Sequence, residues 1–381
     1  MNRQKWTCLI FVVLILGIAA VNQFIPSREF SENENRPLEQ MPKISADTVL
    51  SGQFTSKFDT YVNDQFMFRD GWVGLKTLAQ LALLKRDNQR VYFGKDGYLF
   101  EVESKTDDER LKKNAQAVSS FMKELHIRYP SVSSSVIIAP TAEAVLPEKL
   151  PPLAPVNDQK QMFQSVMEIV GDSSRLINPY EALRSASAQQ QVYFRTDHHW
   201  TAHGAYAAYG VWAEAMGFKP LPATAFSVKT ISTSFYGTTY SKANLYTVRP
   251  DTVEIYEPVD TNPCTVVFDG GKSKLDSLYD LSFLEKKDKY SLFAGGNHAL
   301  AEISTGVRNG KHLLLIKDSY AHAFVPFLSN HFESITMVDL RYYKGNLDVL
   351  LKEKNATDVL LLYNMINFSQ DAYVGSMLKW K

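Results

Sequence analysis

The sequence predicts an α/β protein: a parallel sheet with helices on both faces, preceded by one N-terminal transmembrane helix. Three observations predict it. From about residue 107, short continuous apolar runs alternate with segments of helical period, as in Ser135-Val-Ile-Ile-Ala139, His312-Leu-Leu-Leu-Ile316 and Asp358-Val-Leu-Leu-Leu362. Strands covered on both faces read this way, and helices supply the cover. The composition, 45% hydrophobic and 12% aromatic with 22% charged residues, is that of a chain able to bury a core. Finally, an uncharged run from Trp6 to Phe24 comes directly after Arg3 and Lys5 at the N-terminus.

That run is nineteen residues, which at about 1.5 Å per residue covers roughly the hydrocarbon core of a bilayer. The basic flank favours a cytoplasmic amino terminus and export of the rest of the chain. Residues 1–25 are therefore expected to be an uncleaved signal anchor, with a cleaved signal peptide as the alternative because Gly17, Ala19 and Ala20 are small. Residues 26–50, with Pro26, Pro37, Pro42 and several Glu, read as an extended juxtamembrane linker. Residues 51–106 read as a helical and hairpin extension. Aromatics from Phe54 to Phe68 lie near helical spacing, Trp72 to Leu84 continues as a helix, and Gly94-Lys-Asp-Gly97 turns Arg90–Phe93 back on Tyr98–Phe100.

Residues 107–381 form the predicted α/β domain. Helices are expected over Asp108–Tyr129, Met162–Val170, Thr201–Met216 (stopped by Gly217), Ala323–Phe332 and Asp348–Glu353. Strands are expected at Ser135–Ala139, Ser174–Ile177, Tyr290–Phe293, His312–Ile316, Ser334–Val338 and Asp358–Leu362. Residues near 221–290 are richer in Thr, Ser and Tyr and read as an insertion.

Lys plus Arg equals Asp plus Glu at 41 each. Without a basic excess or stripe, nucleic acid is not expected as a partner. Removing Arg3 and Lys5 leaves 39 basic against 41 acidic residues, so the exported portion is near-neutral. Of the two cysteines, Cys8 sits in the apolar run and Cys264 is alone in the body, so no disulfide forms within the exported part.

Three patterns carry chemistry. In Thr196-Asp-His-His-Trp-Thr-Ala-His203, Asp197 and His199 are two apart and share a face of an extended segment. A carboxylate there holds the imidazole Nδ1–H and leaves Nε2 as a base. A purely structural reading, with Asp197 and Thr201 as caps and Trp200 packed, stays open. So does a metal reading of His199 and His203 at i,i+4, although no Glu stands between them and no third ligand comes after them at a usual spacing. No metal or cofactor is expected. In Lys317-Asp-Ser-Tyr320 an apolar strand runs into Ser319 and then a helix. Reactive groups collect beyond the carboxyl ends of parallel strands; taken alone Ser319 reads rather as a plain N-cap, and the Asp-x-His elsewhere in the same domain makes it the leading nucleophile. Third, Gly296 and Asn297 in Gly295-Gly296-Asn297 come just after an expected strand, where Asn could donate to an oxyanion or the glycines could simply turn the chain.

Thr196-Asp197-His198-His199-Trp200, with Lys317-Asp318-Ser319-Tyr320 and Val338-Asp339-Leu340-Arg341-Tyr342 downstream, resembles the DHHW protein family. That family is related to the SGNH-hydrolase-like alginate O-acetyltransferases of bacterial cell envelopes. Phe30-Ser31-Glu32, Glu34-Asn35-Arg36, Asp64-Gln65-Phe66, Phe68-Arg69-Asp70 and Gly94–Phe100 extend the likeness along nearly the whole exported chain. The resemblance implies an SGNH-like sheet with a permuted motif order, Asp-His before Ser. It implies catalytic Asp197, His199 and Ser319; Gly296, Asn297, Trp200 and Tyr320 stand beside them as oxyanion or substrate candidates. It implies O-acetyl transfer to a polysaccharide acceptor outside the membrane, with a multi-pass membrane O-acyltransferase as acyl donor. Lys317 stands where that pattern expects Gly, and no clear Gly-x-Asn-Asp block is present. The alternatives are an O-acetylesterase with the same residues, or a non-catalytic glycan-binding component of an export complex.

Overall fold

The computed structural model describes residues 3–31, 36–103, 105–260 and 262–380. Glu32, Glu34 and Asn35, part of the resemblance, lie outside the described residues. The chain divides into two compact units, Met1–Lys85 with Ser241–Tyr246, and Arg86–Tyr240 with Thr247–Lys381.

In the first unit, the helix Arg3–Gln23 has no buried side chain in its segment Arg3–Asn22, whose mean hydropathy is 2.1. It is long and apolar enough to fit a signal anchor or membrane span. Residues 26–50 are less extended than expected. Phe30–Ser31 pairs antiparallel with Arg36–Pro37, and Ala46–Leu50 is helical because Ser45 and Thr48 close a reciprocal capping box. Helices Gln53–Asp64 and Arg69–Ala82 come next.

The second unit holds an α/β fold on a mixed sheet. Its strand order is Ser273–Leu275, Thr265–Phe268, Leu300–Ser304, Ser334–Val338, His312–Lys317, Asp358–Asn364, Ser133–Ala139, Arg175–Ile177. The last five are mutually parallel. The first three run antiparallel to their neighbours, so the wholly parallel sheet expected from sequence is corrected to a parallel body with an antiparallel edge. Two of those edge strands come from the segment read as an insertion. The rest of that segment is a hairpin, Phe226–Phe235 with Asp251–Pro258, whose connection carries the helix Thr238–Ala243. Arg86 opens this unit, so the Val91–Phe93/Leu99–Glu101 hairpin belongs to it.

Alternate residues of each central strand feed two cores. Leu313, Leu315, Leu360, Leu362 and Ile137 pack with the helices Ala202–Ala215 and Ala321–Leu328. Leu314, Ile316, Val359, Leu361, Val136 and Ile138 pack with Asp108–Arg128, Gln159–Val170 and Leu347–Glu353. Period-two side chains that are apolar on both faces are what made these strands read as unbroken hydrophobic runs.

Two expectations fail locally. Tyr290 lies in a 3₁₀ turn, Lys289–Leu292, rather than a strand. The helix after Ser319 is Ala321–Leu328, starting and ending earlier than expected, with Pro326 inside it two residues from its end.

Candidate active site

Two loops build the site, and both are placed by the fold. Lys317 ends a central parallel strand, so Asp318-Ser319 falls beyond the carboxyl edge of the sheet. The other loop, Asp197 to Trp200, directly precedes the helix Ala202–Ala215, which Thr201 caps by accepting the Gly204 N–H.

Asp197, His199 and Ser319 come together. Ser319 Oγ lies 2.7 Å from His199 Nε2, and His199 Nδ1 lies 2.5 Å from Asp197 Oδ1. A carboxylate only accepts, so Nδ1 carries the proton and Nε2 accepts from the Ser319 hydroxyl. Asp197 is held on all sides. Its Oδ1 also accepts the His199 backbone N–H at 3.0 Å, and Oδ2 accepts from Thr238 N (2.8 Å) and Oγ1 (3.0 Å). Gly237 makes this approach possible, since a Cβ there would sit 2.3 Å from the Asp197 side chain.

Burial alone would raise the Asp197 carboxyl, but His199, His198 and the hydrogen bonds from His199 and Thr238 hold it well below the usual range. Burial, with the neighbouring His198, pushes the His199 imidazole below its ordinary value against the pull of Asp197. The imidazole is thus neutral and able to accept a proton near neutral pH.

Sequence reasoning missed Tyr290 as a site residue. Its ring stacks on His199 with centroids 3.7 Å apart and planes within 9°, and its hydroxyl donates to the Ser319 carbonyl at 3.0 Å. One side chain therefore braces both the base and the backbone of the nucleophile. Thr238 was missed too, because it arrives from the hairpin connection with no local signal.

Asp318 is buried and orders the nucleophile turn. It accepts from Tyr320 N, Asn364 N, Asn364 Nδ2 and Asn367 Nδ2 at 2.9–3.0 Å. Burial raises its carboxyl in spite of these donors. Lys317 is 2% exposed, with Nζ 2.8 Å from His322 Nε2 and 3.2 Å from Asp339 Oδ2. Asp339 also accepts two side-chain bonds from Arg341. Burial lowers the Lys317 ammonium, with Asp339 opposing. Among the described residues nothing accepts the Ser319 backbone N–H, which leaves it available to a developing oxyanion.

The other candidates are placed differently from the expectation. Trp200 and Tyr320 are fully buried. Trp200 Nε1 donates to the Tyr320 carbonyl at 2.9 Å and Tyr320 Oη to the His198 carbonyl at 2.6 Å, a reciprocal clamp between the loops. Gly296 gives its N–H to Phe293 O, Asn297 Oδ1 accepts from Arg341, and among the described residues no hydrogen bond joins either of them to Ser319. His203 is bound by Tyr256 and Glu254 and does not converge with His199 on a metal position. Asp197, His198 and His199 do lie close enough to share an ion, but both Asp197 oxygens and His199 Nδ1 are already engaged with one another or with Thr238.

Fold and site together define an α/β protein with a Ser–His–Asp constellation at the carboxyl edge of its sheet. The DHHW protein family model matches residues 156–338, so this stretch of the chain is of DHHW type, as its motifs suggested. A DHHW family protein from Eubacterium siraeum DSM 15702 shares the fold at TM-score 0.60 and 24% identity, covering 73% of this chain and 90% of that one. Bacillus cereus PatB1, solved with a sulfonyl adduct, matches at TM-score 0.63 and 19% identity over 76% of this chain and all of that one. Among curated sequences, a probable alginate O-acetylase AlgJ of Azotobacter vinelandii is 26% identical over 169 residues, 42% of each chain. The chain thus spans about two-fifths of the length of that relative.

Proposed function

We propose that this protein is a serine-dependent O-acetyltransferase acting on a polysaccharide through an acyl-Ser319 intermediate, outside the membrane. The observation that carries the proposal is the 2.7 Å contact between Ser319 Oγ and His199 Nε2, with Asp197 behind the imidazole. The likeness to proteins named O-acetylases supports the reaction class.

In this mechanism His199 takes the Ser319 proton as Oγ attacks an acetyl carbonyl, and Asp197 stabilises the imidazolium that forms. The Ser319 N–H donates to the tetrahedral oxyanion. His199 then passes its proton to the departing donor group, leaving acetyl-Ser319. A sugar hydroxyl, deprotonated by the same imidazole, attacks this ester; its oxygen takes the acetyl group and Ser319 Oγ recovers a proton from His199. Water in place of the sugar gives an esterase. We read the parallel body of the sheet as SGNH-like with permuted motif order, a reading supported by the nucleophile's place after a central strand. The N-terminal helix would anchor the chain, and a multi-pass O-acyltransferase would supply acetyl groups. We likewise keep residues 26–50 as the juxtamembrane region and 107–381 as the α/β domain; of the extension expected over 51–106, the helical part up to Lys85 stays apart, and the hairpin joins the α/β unit.

The test is p-nitrophenyl acetate turnover by the detergent-solubilised full chain, beside Ser319→Ala and His199→Ala. Acetate release lost in both variants is the expected result. Equal rates in all three would sink the enzyme reading and leave a glycan-binding component.

A further inference from the structure

The helix Arg69–Ala82 is inside out for a helix in water. Its buried residues are Gly74, Thr77 and Gln80. Three of its large apolar residues face outward, Trp72 49% exposed, Leu75 56% and Leu78 38%, while Val73 and Leu81 are half-buried. Phe68 ahead of it and Leu83 and Leu84 behind it are each more than 70% exposed. Positions 68, 72, 75, 79 and 83 succeed one another at intervals of three or four, so they form a single stripe. Scattered exposed leucines need no explanation, but a continuous stripe does.

Specific contacts lock this orientation. Thr77 Oγ1 donates to Ala243 O at 2.8 Å, and Asn244 Nδ2 donates to Asp70 O at 2.8 Å. A Cβ at Gly74 would come 2.4 Å from the Tyr246 ring. Turning the helix to bury its leucines would break all three. The two ends add a second cost. Phe68 (φ 51°) and Leu84 (φ 60°) adopt left-handed backbone that bulky residues avoid, and both side chains remain in the open.

The neighbouring helix indicates the cover for this stripe. The helix shares its compact unit with the apolar helix Arg3–Gln23. The Met67 N–H donates to Asn22 Oδ1 at 2.8 Å, which ties the start of the stripe to the last turn of that helix. If Arg3–Asn22 crosses a bilayer, Asn22 lies where it leaves the hydrocarbon, and the stripe begins at headgroup depth. Trp72 within it and Arg69, Lys76 and Lys85 beside it are the residue types that settle at that level. We propose that the Phe68–Leu84 face lies in the headgroup–acyl boundary of the leaflet into which the N-terminal helix emerges. This rests on reading that helix as a membrane span.

The test uses the full chain with Cys8→Ser and Cys264→Ser, reconstituted in phosphatidylethanolamine/phosphatidylglycerol vesicles. Single cysteines at Leu75→Cys and Leu83→Cys carry an environment-sensitive fluorophore, with Ile15→Cys as a span reference and Ser282→Cys as an exposed reference on the other unit. Doxyl-lipid should quench the Leu75 and Leu83 probes by roughly half or more, as shallow burial in the acyl boundary requires, and leave Ser282 bright. Quenching at Ile15 with none at Leu75 and Leu83 overturns the inference. A blue shift there without lipid quenching also overturns it, because protein rather than lipid then covers the stripe. An unquenched Ile15 sinks the span reading and the inference with it.

Discussion

Asp197→Asn probes the proposed mechanism at the group the structure constrains most. The carboxylate receives four donors: His199 Nδ1 and N on Oδ1, Thr238 N and Oγ1 on Oδ2. An amide offers one oxygen. Placed toward His199, it keeps the Nδ1–H tautomer but sets an NH2 against the Thr238 N–H, since the Thr238 hydroxyl can rotate to accept and the backbone cannot. One buried N–H left unmatched costs about 1–3 kcal/mol of stability. The kinetic loss is larger. The imidazolium formed during attack no longer faces an anion 2.5 Å away, and in a Ser–His–Asp arrangement the Asp→Asn change costs about 10⁴ in turnover. The pH profile must shift as well. Burial and His198 already lower His199 while Asp197 raises it, so wild type should lose activity only below the ordinary imidazole range, near pH 6.5. In the variant the acid limb moves lower still. The assays are p-nitrophenyl acetate turnover against pH, thermal melting by circular dichroism, and the rate of Ser319 labelling by a sulfonyl fluoride. Turnover within tenfold of wild type, with Ser319→Ala inactive, would refute the assignment of Asp197 as the group that supports His199.

Gly237→Ala should cost activity on the order of 10²-fold, because the added Cβ would fall 2.3 Å from the Asp197 side chain and push it away, and ångström-scale misplacement in a site is that expensive; a crystal structure of the variant with Asp197 unmoved and full turnover would contradict this. Tyr290→Phe keeps the ring on His199 and loses the bond to Ser319 O, for about 0.5–1.5 kcal/mol of stability, whereas Tyr290→Leu should also lower turnover, as a comparison of kcat in the two variants would show. His331, hydrogen-bonded to Tyr209 Oη at 2.6 Å, is pushed down to about 4 by burial. Its folded value lies below its unfolded one, so the unfolded chain binds more protons between pH 6.5 and about 4. Stability should therefore fall as pH drops through that window, by about 3 kcal/mol at most; His331→Gln should flatten this limb in denaturant titrations, and an unchanged limb would count against it.

The central strands were legible because each is apolar on both faces, and Ser319 was legible because it lies just past the end of one of them. Asp197 and His199 were legible from a spacing of two in an extended segment. Other features left no local trace. Thr238 reaches Asp197 across 41 residues, and its own neighbourhood reads as ordinary polar loop. Tyr290 sits in a four-residue apolar stretch, Tyr290–Phe293, too short to separate a period of two from a period of three, so a 3₁₀ turn passed as a strand. The antiparallel edge was hidden for a related reason. Thr265–Phe268 and Leu300–Ser304 are short and half-buried, and strand direction is a property of the connections rather than of composition.

The same contacts explain why the motif letters around the catalytic candidates are what they are. Ser319 and His199 are 120 residues apart in sequence, and a hydrogen bond of 2.7 Å between two loops survives only if the loops cannot drift. Trp200 and Tyr320 each donate into the backbone of the other loop, from positions adjacent to His199 and Ser319. Both are buried, so breaking either bond would strand a polar group away from water. Lys317 on the far side of the turn does comparable work, spanning to Asp339 at the end of the neighbouring strand. That accounts for a large cation where the related pattern expects glycine: here the turn is held by an ion pair between strand ends, with Asp318 bonded to Asn364 and Asn367 on the other side. The tyrosine and tryptophan of these motifs therefore hold the two loops in register, one beside His199 and the other beside Ser319.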